Sequence, residues 1–403
     1  MVNSASADFD LRPLLRINGS FYGLFFAACA MLGPYLPLLL EDREFSATEL
    51  SLLIGLMGST KILAPSFWGW VSDKSGRRLT WIRFGIVGAT AAIVPFCFDI
   101  GFYFSLLSLL LFNFFLDAAL PLFEVNTLLR LGSHTKFYGK IRGLGTVGYI
   151  VAVLVLPVMI QFFGVSVLPW LLVIALLALF ALSQLVEEAK GDPLQPMELE
   201  RKKFSQFFKF RTTYIFIAVA LLLHMSYAPA NVFFTLYSQE LGFTPTQISL
   251  FWAIGPFLEI PVFFKLANLL LRFGYLKLIA MSLILLVFRW LMMPVVGDSF
   301  IGMFAVMGLH ALTFAPFHGA MVFWARDYFG SECAGQAQGL YAGLAFGLGM
   351  PVGATIAGFL WNHADHQTIF YFAAAMAGAG LSLIAVHGFL EQKCQAMQEQ
   401  PHA

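Results

Sequence analysis

Apolar residues in this chain run in blocks too long for an ordinary soluble helix and too continuous for an alternating strand. Twelve stretches meet the ~20 residues needed to cross a hydrocarbon layer about 30 Å thick. They fall at 15–40, 48–71, 79–98, 103–129, 141–163, 166–187, 213–238, 247–268, 276–297, 299–322, 336–360 and 368–389. Each predicts a membrane-spanning helix, because in lipid the backbone polar groups must be satisfied within the segment itself. The longest polar interruption, Glu187 to Arg211, carries Lys190, Asp192, Pro193, Pro196, Arg201, Lys202 and Lys203, and it divides six segments from six. The pattern therefore predicts an all-α, polytopic membrane protein. Its expected parts are an N-terminal six-helix bundle (1–187), a cytoplasmic linker (188–212), a C-terminal six-helix bundle (213–390) and a cytoplasmic tail (391–403).

A repeat supports the division. A shift of 198 positions aligns Phe45-Ser46-x-Thr48-x-x-Ser51-Leu52 with Phe243-Thr244-x-Thr246-x-x-Ser249-Leu250, and Gly76 with Gly274. Two related halves are a mark of secondary transporters.

Composition agrees with lipid as the solvent: 59% of the residues are apolar and 12% are charged, against roughly 25% charged in soluble domains. The net charge of +1 gives no basic excess for nucleic acid. Position is more informative than total. With the N-terminus inside, 21 of the 24 Lys and Arg residues fall on the cytoplasmic side; Arg43 lies in an outer loop, and Lys61 and Arg289 lie within helices. This asymmetry places both termini in the cytoplasm. Asp8, Asp10 and Arg12 precede an apolar run too long for a cleaved leader, so the first helix is expected to remain as an anchor. Cys29, Cys97, Cys333 and Cys394 are too scattered for a disulfide framework or a metal site, and no metal or other cofactor is expected.

Between the second and third helices stands Gly69-x-x-x-Asp73-x-x-Gly76-Arg77-Arg78. Gly69 permits close helix contact, Asp73 can bond amides or a cation at a helix end, and Gly76 allows a tight reversal before a basic anchor. This segment resembles the loop 2/3 signature of the major facilitator superfamily, which implies a gating role on the cytoplasmic side. The second half departs from it, with Leu271 where Asp73 would repeat. From Ala118 to Tyr149 the chain places Glu124 in helix 4 and Arg142 at the start of helix 5, a pair that can neutralise itself and offer a donor and acceptor fork to a polar solute. The acid, the Tyr138-Gly139-Lys140-Ile141-Arg142 run and the glycines after it resemble the lactose permease and phenylpropionate permease branch. That resemblance implies a ligand-binding pair at Glu124 and Arg142. Tyr149 stands where the sugar permease has a stacking tryptophan, a departure that weighs against sugar. Gly143-x-Gly145-x-x-Gly148 is formally a dinucleotide fingerprint, but it lies in a membrane helix and not after a strand. It is read, with Gly335, Gly339, Gly343 and Gly347 of helix 11, as a small face for helix packing.

The remaining ionisable groups at membrane depth are Lys61, Asp117, His224, Glu259, Arg289 and His310. Lys, Arg or Asp at a helix centre costs ~2.5–3.5 kcal/mol on insertion scales, so these groups are expected to pair around one shared cavity. Lys61 maps onto Glu259 under the 198 shift. Arg289 and Leu309-His310, followed by Pro316, resemble the permease pattern of a coupling arginine and histidine; Thr313 replaces the acid that follows that histidine in the family. The resemblance then leaves Glu259 as proton carrier, tuned by Arg289 and His310.

The expected function is proton symport of a small organic solute by alternating access. Arg142, Glu124, Tyr149 and Lys61 would form the binding site, and the phenylpropionate branch points to an aromatic carboxylate as cargo, with a sugar or nucleoside as the alternative. The expected setting is a bacterial inner membrane, the expected partners are solute, protons and the bilayer, and the expected functional unit is a monomer. A membrane-embedded enzyme would need a reachable catalytic constellation and longer polar loops. A receptor without transport would not need six mid-membrane ionisable groups.

Overall fold

In a computed structural model, residues 11–189, 204–330 and 333–398 are described. They form twelve spans: α1 Leu11–Asp42, α2 Ala47–Ser75, α3 Arg78–Cys97, α4 Gly101–Leu131, α5 Tyr138–Phe163, α6 Val165–Ser183, α7 Arg211–Glu240, α8 Pro245–Phe273, α9 Tyr275–Val295, α10 Phe300–Phe329, α11 Gln336–His363 and α12 Thr368–Leu390. No strand occurs among the described residues. Several spans outrun their apolar stretches because the helix continues into polar residues; α10, for example, carries on through Arg326 and Asp327. The expected linker residues Lys190 to Lys203, and the tail from 399 onward, lie outside the described residues.

The helix ends follow from local chemistry. Ser46 and Glu49 form a reciprocal capping box at the start of α2, and Thr244 and Gln247 form its counterpart at α8. The aligned serines also match, Ser51 Oγ donating to the Thr48 carbonyl and Ser249 Oγ to that of Thr246. The 198-residue repeat is thus a repeat of capping geometry. Gly76 ends α2 with φ 66°, a left-handed conformation in which a side chain would be strained. At the start of α3 the backbone amides of Arg78 and Leu79 donate to the Glu188 carboxylate, at 2.8 Å and 3.0 Å. An anion at a helix N-terminus is favoured by the free amides and the helix dipole.

Packing divides the spans into two groups. In the first, α1 packs on α5 and α6, and α3 packs on α4 and α6; in the second, α12 packs on α7 and α9, and α10 packs on α8 and α9. The groups meet through α2 with α11, α5 with α8 and α1 with α7. Contacts between them concentrate at the end of the molecule away from both termini. There Thr235 Oγ1 donates to the Pro34 carbonyl, and Asn362 Nδ2 to Thr48 Oγ1. Ala30 and Val153 pack with Ala253 and Trp252. Toward the terminal end the groups part: the inner half of α2, Ala64–Ser75, packs mainly on α3 and α4 of its own group, and Gly69 and Gly143 have no neighbour within 4 Å of a would-be Cβ. The molecule is closed at the far end and open at the end that carries the termini.

Candidate transport site

Among the described residues, three ionic clusters lie at membrane depth. On α5, one turn in from its start at Tyr138, Arg142 Nε donates to Glu124 Oε1 at 3.1 Å. The guanidinium lies 4.2 Å from the Phe26 ring centre and 5.4 Å from that of Tyr22. Gly145, one turn on, makes room for this stack: a Cβ there would come within 2.6 Å of the Phe26 ring and 3.1 Å of Arg142 Nη1.

The second cluster forms where two helices are irregular. α2 tightens into a 3-10 turn at Gly58–Ile62, and α4 breaks at Asp117. Lys61 Nζ lies 3.6 Å from Asp117 Oδ1, and Thr60 Oγ1 donates to Oδ2 at 3.0 Å. Lys61 also faces the Phe346 ring of α11 at 5.6 Å, across the seam between the two groups.

The third cluster is a line through α8, α10 and α9. Glu259 Oε1 lies 3.0 Å from His310 Nε2, and His310 Nδ1 lies 3.4 Å from Arg289 Nη1. Arg289 is 2% exposed; its Nε donates to the Val306 carbonyl, its Nη2 reaches Met307 Sδ, and its charge rests 4.3 Å from the Trp290 ring. Gly255 leaves room for the histidine, since a Cβ there would lie 3.0 Å from the imidazole. Thr313, in the place of the acid of the family pattern, hydrogen-bonds the Tyr227 hydroxyl at 2.8 Å.

A cavity of about 250 Å³ opens beside this third cluster. It is small against the ~300–1,000 Å³ of common ligand sites. Arg289 and His310 supply polar atoms to its wall, Asn231 adds an amide, and Tyr149, Trp252 and Phe346 are among the aromatic residues that line it.

The sequence-predicted residues therefore separate. Glu124 joins Arg142, Glu259 joins His310 and Arg289, and Lys61 joins Asp117 rather than lining the cavity. The expectation of one shared cavity is corrected, because each charge finds its partner on a neighbouring helix of its own group. Of the expected binding residues, Tyr149 alone lines the cavity. It packs on the small cluster of Ala30, Val153 and Ala253, where the first group meets the second. His224 is buried, bonded through Nδ1 to the Ala220 carbonyl, and also lines the cavity. The gating segment lies at the open end: Asp73 and Arg77 are exposed and Arg78 is buried. Sequence reasoning missed Tyr227 and Asn231, although Tyr227, Asn231 and Thr235 recur every four residues and so mark one polar stripe on α7.

Residues 15–372 match the MFS_1-like family. The chain belongs to that family. It is a secondary transporter of the major facilitator class. The transporter is similar to a probable 3-phenylpropionic acid transporter of Escherichia coli (strain K12), 24% identical over 369 residues that cover 88% of this chain and 93% of that protein. It also matches a maltose permease of Geobacillus stearothermophilus, 26% identical over 274 residues covering 67% of this chain and 68% of the other. A solved structure of the nucleoside transporter NupG shares its fold with a TM-score of 0.83 at 15% identity, covering 93% of this chain and 99% of that one. The POT family transporter PepTSo gives a TM-score of 0.71 at 12% identity, covering 98% and 99% of the two chains.

Proposed function

We propose that this transporter carries an aromatic carboxylate by proton symport through a bacterial inner membrane, with both termini cytoplasmic and no metal or other cofactor. The observation that carries the reading is the Glu259–His310–Arg289 line ending on an aromatic-walled cavity. A guanidinium stays charged, so the ionised Glu259 offsets Arg289 through the imidazole between them. When Glu259 takes a proton, Arg289 is left uncompensated in a site of low dielectric and attracts an anion. The cavity walls supply ring faces for its apolar part. Proton and anion then favour each other's binding, and the coupling is reciprocal. Arg142, with Glu124 as its orienting partner, is a second carboxylate fork, two helical turns along α5 from Tyr149 of the cavity wall. With the termini inside, the conformation described is open to the cytoplasm. The relative whose name contains 3-phenylpropionic acid supports the cargo class.

The test is purified protein in liposomes, offered 3-phenylpropionate, maltose or uridine while external pH is followed. The aromatic acid is expected to raise external pH, and the neutral solutes are not. Glu259→Gln is expected to abolish that rise while substrate exchange across the bilayer continues. Unchanged alkalinisation in the variant would remove Glu259 from the mechanism, and alkalinisation with uridine or maltose alone would move the cargo to a nucleoside or sugar.

A further inference from the structure

Beyond Glu259 and His310, a second set of titratable groups runs toward the open end. His310, Phe314 and His318 follow one another every four residues on α10, with rings stacked at 9° and 11° and centres 5.4 Å and 5.7 Å apart. Eight residues of helix advance about 12 Å, and this advance is directed toward the end that carries the termini. His318 is half-buried, and its Nδ1 lies 3.2 Å from the Tyr341 hydroxyl of α11. Tyr341 in turn meets His224 of α7 edge-on, 6.0 Å between ring centres. His224 Nε2 is buried with no hydrogen-bond partner among the described residues. The titratable and charged groups facing His318 are thus Tyr341 from α11, His224 from α7 and the Glu259 carboxylate from α8, which acts on His318 electrostatically. Arg289 of α9 reaches the ladder at His310. Phe314 blocks direct contact between the two histidines of α10, so water or side-chain rotation must bridge them.

We propose that His318, held by Tyr341, is the relay through which the proton leaves Glu259 for water at the open end. This rests on the proton-coupling reading above. As the Glu259 O–H bond breaks, a bridging water accepts that proton and gives up one of its own, and an N–H bond forms on whichever His318 ring nitrogen was bare. The Tyr341 hydroxyl can donate to a bare Nδ1 or accept from a protonated one, so it can hold the ring in either state. That N–H bond then breaks to water, restoring the neutral imidazole. His318 does not line the cavity, so its role is in proton release and not in solute binding.

The experiment uses the full chain in liposomes with 3-phenylpropionate, maltose or uridine as probes. His318→Gln can still hydrogen-bond Tyr341 but cannot take up a proton. It is expected to lower pH-driven accumulation and alkalinisation at least 10-fold, while counterflow, which needs no net proton release, stays within 2-fold of the unsubstituted protein. Tyr341→Phe leaves the imidazole in place but frees it, and is expected to slow accumulation and shift its pH profile with counterflow intact. Alkalinisation lost in E259Q but kept in H318Q would overturn the relay alone. Loss of counterflow in both relay variants would assign these residues to structure and also overturn it. No pH change from any probe with the unsubstituted protein would overturn the coupling reading, and the relay with it.

Discussion

Gly358 on α11 lies against α2 at the closed end, and replacing it with alanine should push the transporter toward its other conformation. A Cβ at 358 would overlap Ser51 Oγ, lie 2.6 Å from Ser51 Cβ and stand 3.0 Å from the Ala47 carbonyl oxygen. Rotating Ser51 would clear its Oγ but would move neither its Cβ nor the Ala47 backbone, so the helices must separate. The same seam is tight at Gly55 and Gly58, where an added Cβ would lie 2.9 Å from Ala354 Cβ and 2.9 Å from the Phe346 carbonyl oxygen, leaving little room to slide. Overpacking of this kind costs about 1–3 kcal/mol. The cost applies where α2 and α11 touch and vanishes once that end opens, so it enters the equilibrium in full. The ratio of far-end-open to far-end-closed molecules should rise about 5- to 150-fold. Spin labels at the exposed Asp42 and Asp365, in a background without native cysteines, would read the separation by pulsed electron resonance. A new long-distance population in Gly358→Ala, absent without it, is expected. An unchanged distance distribution in a correctly folded variant would refute the claim that this seam holds the far end shut.

Two further predictions concern the ionic clusters of the first bundle. Arg142→Lys keeps the charge but loses the planar fork stacked on Phe26; loss of a charge-assisted bond worth about 1.5–3 kcal/mol should lower kcat/KM for uptake roughly 10- to 150-fold, and uptake near the original value would exclude the fork from binding. Lys61→Met should lower thermal stability by leaving Asp117, 14% exposed, without its cation. Because Lys61 is itself 42% exposed, the loss should fall below the ~3–5 kcal/mol of a fully buried pair, and Lys61→Met/Asp117→Asn should recover most of the melting temperature; no recovery would show that the pair is not the source.

The fold was legible because span length and the repeated cap signals both follow from local sequence. Ser46 with Glu49 and Thr244 with Gln247 are visible in the chain before any tertiary contact is known. Partner choice among the charges was less legible. The ionisable groups were expected to pair around one cavity, yet Lys61 and Glu259, at aligned positions of the two halves, each turn to a neighbour in their own bundle. That choice depends on the 3-10 turn at Gly58–Ile62 and the break at Asp117, neither of which leaves a periodic mark. The cavity was hidden for a related reason: its wall draws on α5, α7, α8, α9, α10 and α11, and side-chain convergence from six helices is a property of packing. Tyr149 was found by resemblance, whereas the i, i+4 polar stripe through Tyr227 and Asn231 was present in the chain and passed over.

The distribution of ion pairs bears on how the two bundles can move at all. Lys61–Asp117, Arg142–Glu124 and His310–Glu259 each join helices of one bundle. What crosses the closed end is apolar and small-residue packing with hydrogen bonds such as Thr235 to the Pro34 carbonyl and Asn362 to Thr48. Stranding one member of a buried ion pair costs about 3–5 kcal/mol, and a net hydrogen bond is worth only about 0.5–1.5 kcal/mol. A seam of the second kind can open without leaving a charge unpartnered in a dry interior, and the bonds released exchange with water entering the gap. The ionic clusters can then travel with their bundles as intact units. Rocking of one bundle against the other therefore does not itself require any of these three pairs to break.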